Sequence, residues 1–405
     1  RPRMTAPPPP DPHPAADPTA HSPSSSSAPP SWHLITGEYP PGGGGVGEYT
    51  RQLAQALAAE RLDVHVWAPA GAESDRGVTV HPVGGFGRPG RRGMDRALDA
   101  VPGPRRLLVQ YAPQAFGMRG MNIAICRWVL RRARLSDEVR VMFHEPYVEF
   151  SLAHPRRNLI AAANRAMAML LLRAASIAYV STPAWERLLR PWAPRSLGAM
   201  RWLPIPSTVP RVDDPEAVAV LRARLGANEA GVRVIGHFGT YGRMIAPLLE
   251  PALRAVLAPP SRSILLLLGD GGPGFAARLE RAEPRLRGRV VAPGRLPAES
   301  LSIHLQACDV AVQPYPDGVS ARRTTVMAAM ANGVPVVTTA GRFTEPEWSS
   351  AGIPLVPAGD ASALAAAVLD LLDDAARRRT LAAGERDFYR RWFSMHRTLT
   401  TLLVE

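Results

Sequence analysis

The sequence predicts an α/β protein with two doubly wound parallel sheets in tandem. Three observations carry that expectation. Short apolar strands alternate with helical stretches in two separate series, a glycine-rich turn directly follows the first strand of each, and a proline-bearing link (Pro204, Pro206, Pro210) lies between them. At 405 residues, 46% hydrophobic and 20% charged, the chain is long enough for two cores.

Residues 1–30 are rich in Pro, Ser and Ala with almost no large apolar side chains. Such a composition cannot offset its own ordering entropy and predicts a disordered tail. From Trp32 the pattern changes: residues 32–36 read as a strand and 40–47 (PPGGGGVG) as a loop. A helix follows in which Tyr49, Leu53, Ala56 and Leu57 recur at helical spacing, and residues 64–68 form a second strand. This β-loop-α-β unit opens a doubly wound sheet. Strands at 106–109, 139–143 and 178–181 and helices at 122–134 and 157–174 complete a first domain over residues 31–206.

Residues 207–231 read as a linker with a charged helical stretch. The second series begins with the strand 232–238. It continues through helix 245–257, strand 263–268, helix 274–283, strand 290–292, helix 299–307, strand 310–313, helix 322–332 and strand 335–338, within a domain over 232–376. Residues 377–405 alternate Arg with Trp392, Phe393, Leu399 and Leu402 and read as closing helices able to cross back to the first domain.

All 48 basic residues are Arg, which excludes any mechanism needing a lysine amine and, with the Ala and Pro usage, suits a GC-rich bacterial genome. The net charge of +13 is uneven: residues 1–210 hold 25 Arg against 15 Asp and Glu, and residues 211–405 hold 23 against 20. That excess suits a phosphorylated acceptor or anionic headgroups, and no nucleic-acid module accompanies it. In the helix 122–134, Ile123, Ile125, Val129 and Leu130 interleave with Arg127, Arg131 and Arg132, allowing peripheral contact with an inner membrane face. Cys126 and Cys308 lie far apart and suggest neither a disulfide nor a zinc site; no metal ligand set and no cofactor are expected. With no apolar leader and no uninterrupted spanning stretch, a cytoplasmic setting is expected.

The turns carry the chemistry. In PPGGGGVG, Gly43, Gly44, Gly45 and Gly47 bring backbone N–H groups near a positive helix end, where a diphosphate fits. The same logic recurs in GTYGR, with Gly239, Thr240 and Arg243, the last placed to pair with phosphate. Gly269 and Asp270 end the strand of LLLLGDGGPG, and Arg295 follows another. In PYPDGVSARR, Asp317, Ser320, Arg322 and Arg323 precede a helix whose N-terminus and two guanidiniums suit a diphosphate.

The succession of EYPPGGGGVGEYTRQLAQALAAERLDVHVWAP (38–69), HEP (144–146), LGDGGP (268–273) and CDVAVQPYPDG with MANGVPVVTT resembles the retaining GT-B glycosyltransferases, over residues 31–400 in matching order. The resemblance implies two Rossmann-like domains facing a central cleft and metal-independent transfer of a sugar from a nucleotide-sugar to an acceptor hydroxyl. It places His144 near the transferred sugar, with Glu145 supporting its loop.

Two departures stand out. Where the family has an Arg and a Lys after the first strand of the second domain, this chain has Thr240 and, allowing one gap, Arg243. Where the family has an E-x7-E pair, this chain has Ser320 and Ala328, with Asp317 the nearest acid. Arg322 and Arg323 are expected to supply the missing phosphate charge. The lost acids leave open a noncatalytic nucleotide-sugar or glycan-binding protein partnering another transferase, and a GT-B epimerase.

Overall fold

A computed structural model of the chain describes residues 29–42, 44–153 and 155–403. The tail expected over residues 1–30 therefore falls almost wholly outside the described residues, as does Gly43.

The first series comprises β1 (Ser31–Thr36), α1 (Gly45–Ala59), β2 (Val64–Pro69), β3 (Thr79–Val83), α2 (Arg88–Asp99), β4 (Arg105–Tyr111), α3 (Ile123–Arg134), β5 (Glu138–Phe143), α4 (Pro155–Ala174), β6 (Ile177–Val180), α5 (Pro183–Leu189) and β7 (Arg201–Trp202). Its strands form a parallel sheet in the order β3-β2-β1-β4-β5-β6-β7. Helix α6 (Pro215–Arg224) occupies the link, its N-terminus capped by Asp214, which accepts from the Ala217 amide at 2.9 Å.

In the second series come β8 (Val234–Phe238), α7 (Ala246–Val256), β9 (Ile264–Leu268), α8 (Gly272–Ala282), β10 (Val290–Gly294), α9 (Ala298–Gln306), β11 (Val310–Gln313), α10 (Thr324–Ala331), β12 (Val336–Ala340), β13 (Leu355–Pro357) and α11 (Ala361–Asp373). The sheet order is β10-β9-β8-β11-β12-β13, again parallel. Leu265, Leu266, Leu267 and Leu268 of β9 are all fully buried, because helices cover both faces of such a sheet; this is why the strand reads as a continuous apolar run.

Helices α12 (Ala375–Trp392) and α13 (Met395–Leu403) close the chain. The second of these packs on the first sheet: Leu402 is buried in one core with Trp32, Leu34 and Tyr49, and its carbonyl accepts from Arg140 Nη1 at 2.9 Å.

The interfacial reading of the helix at 122–134 is corrected by its packing. Ile125 and Val129 are buried in the core of the first domain, and Arg132 is buried and paired with Asp99 and Asp137. The apolar side of α3 therefore faces inward and is not available to a lipid surface. Among the described residues no helix is long and apolar enough to cross a membrane.

Both sheets reverse strand order between their first strand and the fourth of their series, β1/β4 and β8/β11. Loops leaving the carboxyl ends of strands diverge at these points and leave a crevice, the place where open α/β sheets bind ligands.

Candidate functional site

Two cavities lie at these switch points. On the second domain, a cavity of about 420 Å³ opens beside β8 and β11. Gly239 and Thr240 line it from the turn after β8, Gln313, Tyr315 and Asp317 from the end of β11, and Arg322, Arg323, Thr324 and Thr325 from the start of α10. Thr324 and Thr325 are the first residues of α10, where backbone N–H groups have no intrahelical partner and the helix dipole is positive.

Asp317 organises the arginines. One of its oxygens accepts from Arg322 Nη2 at 3.0 Å, and the other accepts from Arg323 Nη2. Both guanidiniums also lie over aromatic rings, Arg323 at 4.4 Å from the Tyr315 centroid and Arg322 at 5.4 Å from that of Trp185 in the first domain. Burial, followed by the neighbouring Arg323, lowers the Arg322 pKa from its ordinary value. The Asp317 carboxylate is thus committed to two cations and does not stand free as an acid.

The other positions of the lost pair lie away from the cavities. Ser320 is fully buried with its Oγ unpartnered, and Ala328 is fully buried on α10 in the core of the second domain. Ser320, expected at the ligand, is thus not among the residues lining these cavities. Arg243 is exposed on the loop after β8, forms no ion pair among the described residues and does not line either cavity, although its neighbours Thr240 and Met244 do. Gly269 and Asp270 line a third cavity with Arg295, Glu48 and Thr208; Asp270 and Arg295 are 3.8 Å apart and largely exposed.

A cavity of about 290 Å³ sits between the two domains. Gly44, Gly45 and Val46 line it from the start of α1, and His144 and Glu145 from the end of β5; Glu38, Gln114, Ser181, Arg322 and Thr324 complete the polar lining. Gly44 leaves room for the Glu38 carboxylate: a Cβ there would lie 2.0 Å from Glu38 Oε2 and displace that side chain. Gly47, one turn into α1, is buried against the backbone of Glu38 and Tyr39.

His144 is held from several sides. Its Nε2 is 2.7 Å from Gln110 Oε1, its carbonyl accepts from Trp185 Nε1 at 2.9 Å, and the Tyr49 ring meets it edge-on at 5.3 Å. Burial pushes its pKa down to about 3, so the ring is neutral at physiological pH. Glu145 is exposed and accepts from Gln114 Nε2 at 2.7 Å. Burial raises the Glu38 carboxyl above its usual range, and the charge of Glu145 raises it further.

Sequence reasoning did not single out Glu38, Gln114, His237, Thr324 or Thr325. Glu38 sat within the quoted EYPPGGGG stretch, two residues before the loop. His237, on β8, gave no signal: its Nδ1 donates to the Val312 carbonyl at 2.7 Å, and burial lowers its pKa to about 4.

Comparison with known proteins gives two family matches. Residues 232–374 match the model described as glycosyl transferases group 1, and residues 43–196 match that of glycosyltransferase family 4. No curated protein matches by sequence. By structure the chain is similar to a sucrose-phosphate synthase from Thermosynechococcus elongatus, with 22% identity and a TM-score of 0.67 over 92% of this chain and 97% of that one. It is also similar to HepE of Anabaena in complex with UDP and glucose (17%, TM-score 0.63, 92% and 98%). A third similar structure is the α,α-trehalose 6-phosphate synthase of Burkholderia multivorans (12%, TM-score 0.62, 93% and 97%). These likenesses are of the GT-B fold, with two Rossmann-like domains.

Proposed function

This chain belongs to the glycosyltransferases, group 1 and family 4, and on that premise we propose that it moves a sugar from a nucleotide-sugar onto an acceptor hydroxyl. We propose further that the anomeric configuration is retained and that arginines and a helix end, in place of a metal, carry the phosphate charge.

One observation supports this reading above the others. Arg322 and Thr324 line both the cavity on the second domain and the cavity between the domains, so the two spaces meet at the N-terminus of α10. A diphosphate seated on the first turn of α10 receives backbone N–H groups and the two guanidiniums, and its sugar then points toward His144. The solved complex of HepE with UDP and glucose is consistent with a donor of this class on this fold.

In the transfer, the bond from the anomeric carbon to the diphosphate oxygen breaks while the acceptor oxygen bonds to that carbon. The hydroxyl proton leaves with the diphosphate. Negative charge grows on the departing phosphate, and Arg322 and Arg323, already fixed in place, stabilise it without reorganising. Because Asp317 shares both guanidiniums, the diphosphate competes with that carboxylate for them. His144, neutral, offers hydrogen bonds to sugar hydroxyls and holds the geometry of the reacting centre.

The test is a thermal-shift panel of UDP, GDP, UDP-glucose and GDP-mannose, followed by turnover on each ligand that stabilises the protein, with EDTA present. Expected are a rise in melting temperature with a nucleoside diphosphate and release of that diphosphate from its sugar. Isomerised nucleotide-sugar without transfer, or tight binding without release, would replace this reading.

A further inference from the structure

We infer that the acceptor is a polyhydroxylated molecule bearing a protonated amine, gripped by Glu38 and Glu145; this rests on the transferase reading above and names the acceptor class of its interdomain cavity.

The inference follows from the charge and hydrogen-bond polarity of the cavity wall. Two carboxylates line it, Glu38 and Glu145, against a single guanidinium, that of Arg322. Arg322 is bonded to Asp317 at 3.0 Å and lies over the Trp185 ring, and it also feels the charge of Glu145 without forming an ion pair with it. The side-chain partner of Glu145 is the neutral amide of Gln114, and the Glu38 carboxylate rests against Gly44, whose missing Cβ gives it room. Neither acid has a cation paired with it in an ion pair among the described residues. Burial, and then the charge of Glu145, raise the Glu38 carboxyl above its ordinary range.

His144 adds an independent observation. It is 8% exposed and lines the cavity. With Gln110 Oε1 accepting from Nε2–H, its Nδ1 is left as a lone-pair acceptor with no partner among the described residues. Carboxylates and this nitrogen are all acceptors, so a ligand that satisfies them must donate. A hydroxyl donates one hydrogen, but an ammonium donates three and neutralises the pair, and charge-assisted bonds are the stronger kind.

The arginine excess of the first half of the chain does not reach this cavity. No Arg from residues 1–210 lines it, and a donor diphosphate at α10 would add further negative charge. A phosphorylated acceptor, which the overall charge balance suggested, meets two carboxylates here; a cationic acceptor meets them as partners, with Arg322 the one like charge in the lining.

The experiment measures binding of glucosamine, glucose, N-acetylglucosamine and glucose 6-phosphate to the full chain by calorimetry, with UDP or GDP present, at about pH 6.5, below the ordinary range of an amine. Expected is glucosamine binding at least about tenfold tighter than glucose, with glucose 6-phosphate weakest. In Glu38→Gln and Glu145→Gln that preference should fall to within about threefold. Glu145 is exposed, so its Gln variant tests the idea even if Glu38→Gln fails to fold. Glucose 6-phosphate binding as well as glucosamine, no detectable glucosamine binding at about 20 mM, or variants that weaken all four sugars alike would overturn the inference. Loss of UDP and GDP binding would instead overturn the transferase reading, and the two failures are read separately.

Discussion

Glu345 holds the amide of Ala321 with both carboxylate oxygens, each 3.1 Å from the nitrogen. The same carboxylate accepts from Trp348 Nε1 at 2.8 Å and is hydrogen-bonded by Thr182 of the first domain. Burial raises its pKa, and these donors oppose the rise. The carboxylate therefore fixes the turn that presents Arg322 and Arg323, and ties it to the opposite domain. Removing it leaves at least two buried N–H groups without partners, at about 1–3 kcal/mol each. Glu345→Ala should lower stability by about 3 kcal/mol in urea denaturation and weaken nucleoside diphosphate binding as well. A variant as stable as wild type would show that the turn holds without this anchor.

The two arginines supply the next prediction. If they carry the phosphate charge, replacing both with Ala should weaken nucleoside diphosphate binding by about tenfold or more, a step of about 1.4 kcal/mol. Asp317→Asn should act in the opposite direction on binding, because the guanidiniums it engages at present are released for the ligand. Calorimetry with UDP and GDP on the three proteins checks both signs, and unchanged affinity in the double Ala variant would sink the arginine assignment.

What the sequence made legible follows from where its signals are local. Strands such as β9 are uninterrupted Leu runs because both faces are buried, and the Gly-rich turn before α1 is punctuated by residues that permit close approach. Strand β3 was missed because it is a half-exposed edge with Pro82 and His81 inside it, and α2 because Gly90, Gly93 and several Arg weaken its helical pattern. At the site, Asp317 was identified as an acid near the helix, but its bonds to Arg322 and Arg323 depend on how the loop folds back. The pairing of Glu38 with the interdomain cavity depends on two segments more than 100 residues apart, Glu38 and Glu145, converging in space, which no spacing rule reports. Arg243 lies on the turn that the sequence marks out, exposed and outside the lining of the two cavities.

Gly269 offers a backbone test of the donor side. Its φ is +114°, in the region that favours glycine, and a Cβ there would lie 2.6 Å from the Gly239 carbonyl oxygen. The two turns that leave β8 and β9 thus touch through backbone alone. Gly269→Ala adds strain of about 1–3 kcal/mol and drives the turn bearing Thr240 away from the cavity. Expected are a lower urea midpoint and weaker nucleotide binding together; a stable variant with normal affinity would contradict the contact.

The last prediction concerns His33, which is fully buried on β1. Its Nδ1 accepts from Trp67 Nε1 at 3.2 Å, its Nε2 lies 3.0 Å from Ser31 Oγ, and its ring stacks on His65 with centroids 4.6 Å apart. Burial, then the charges of His65, Arg105, His81 and Arg132, push its pKa down to about 3 from an ordinary value of 6.5. Between these two values the unfolded chain binds a proton that the folded chain does not. Stability is therefore complete above about pH 6.5 and falls as pH drops toward 3, by about 1.4 kcal/mol per pH unit for this one group. His144 and His237, lowered to about 3 and about 4, act with the same sign. Glu345 and Glu385, raised by burial, act against it, because the folded state holds their protons more tightly. Comparing His33→Gln with wild type isolates the one term. Gln keeps an acceptor for Trp67 but cannot titrate, so the variant should be the less stable protein at about pH 7.5 and lose less on acidification, its slope shallower by about 1.4 kcal/mol per unit between about pH 6 and 4. Urea denaturation at several pH values gives both curves, and parallel curves would mean that His33 does not contribute to the acid sensitivity of the first domain.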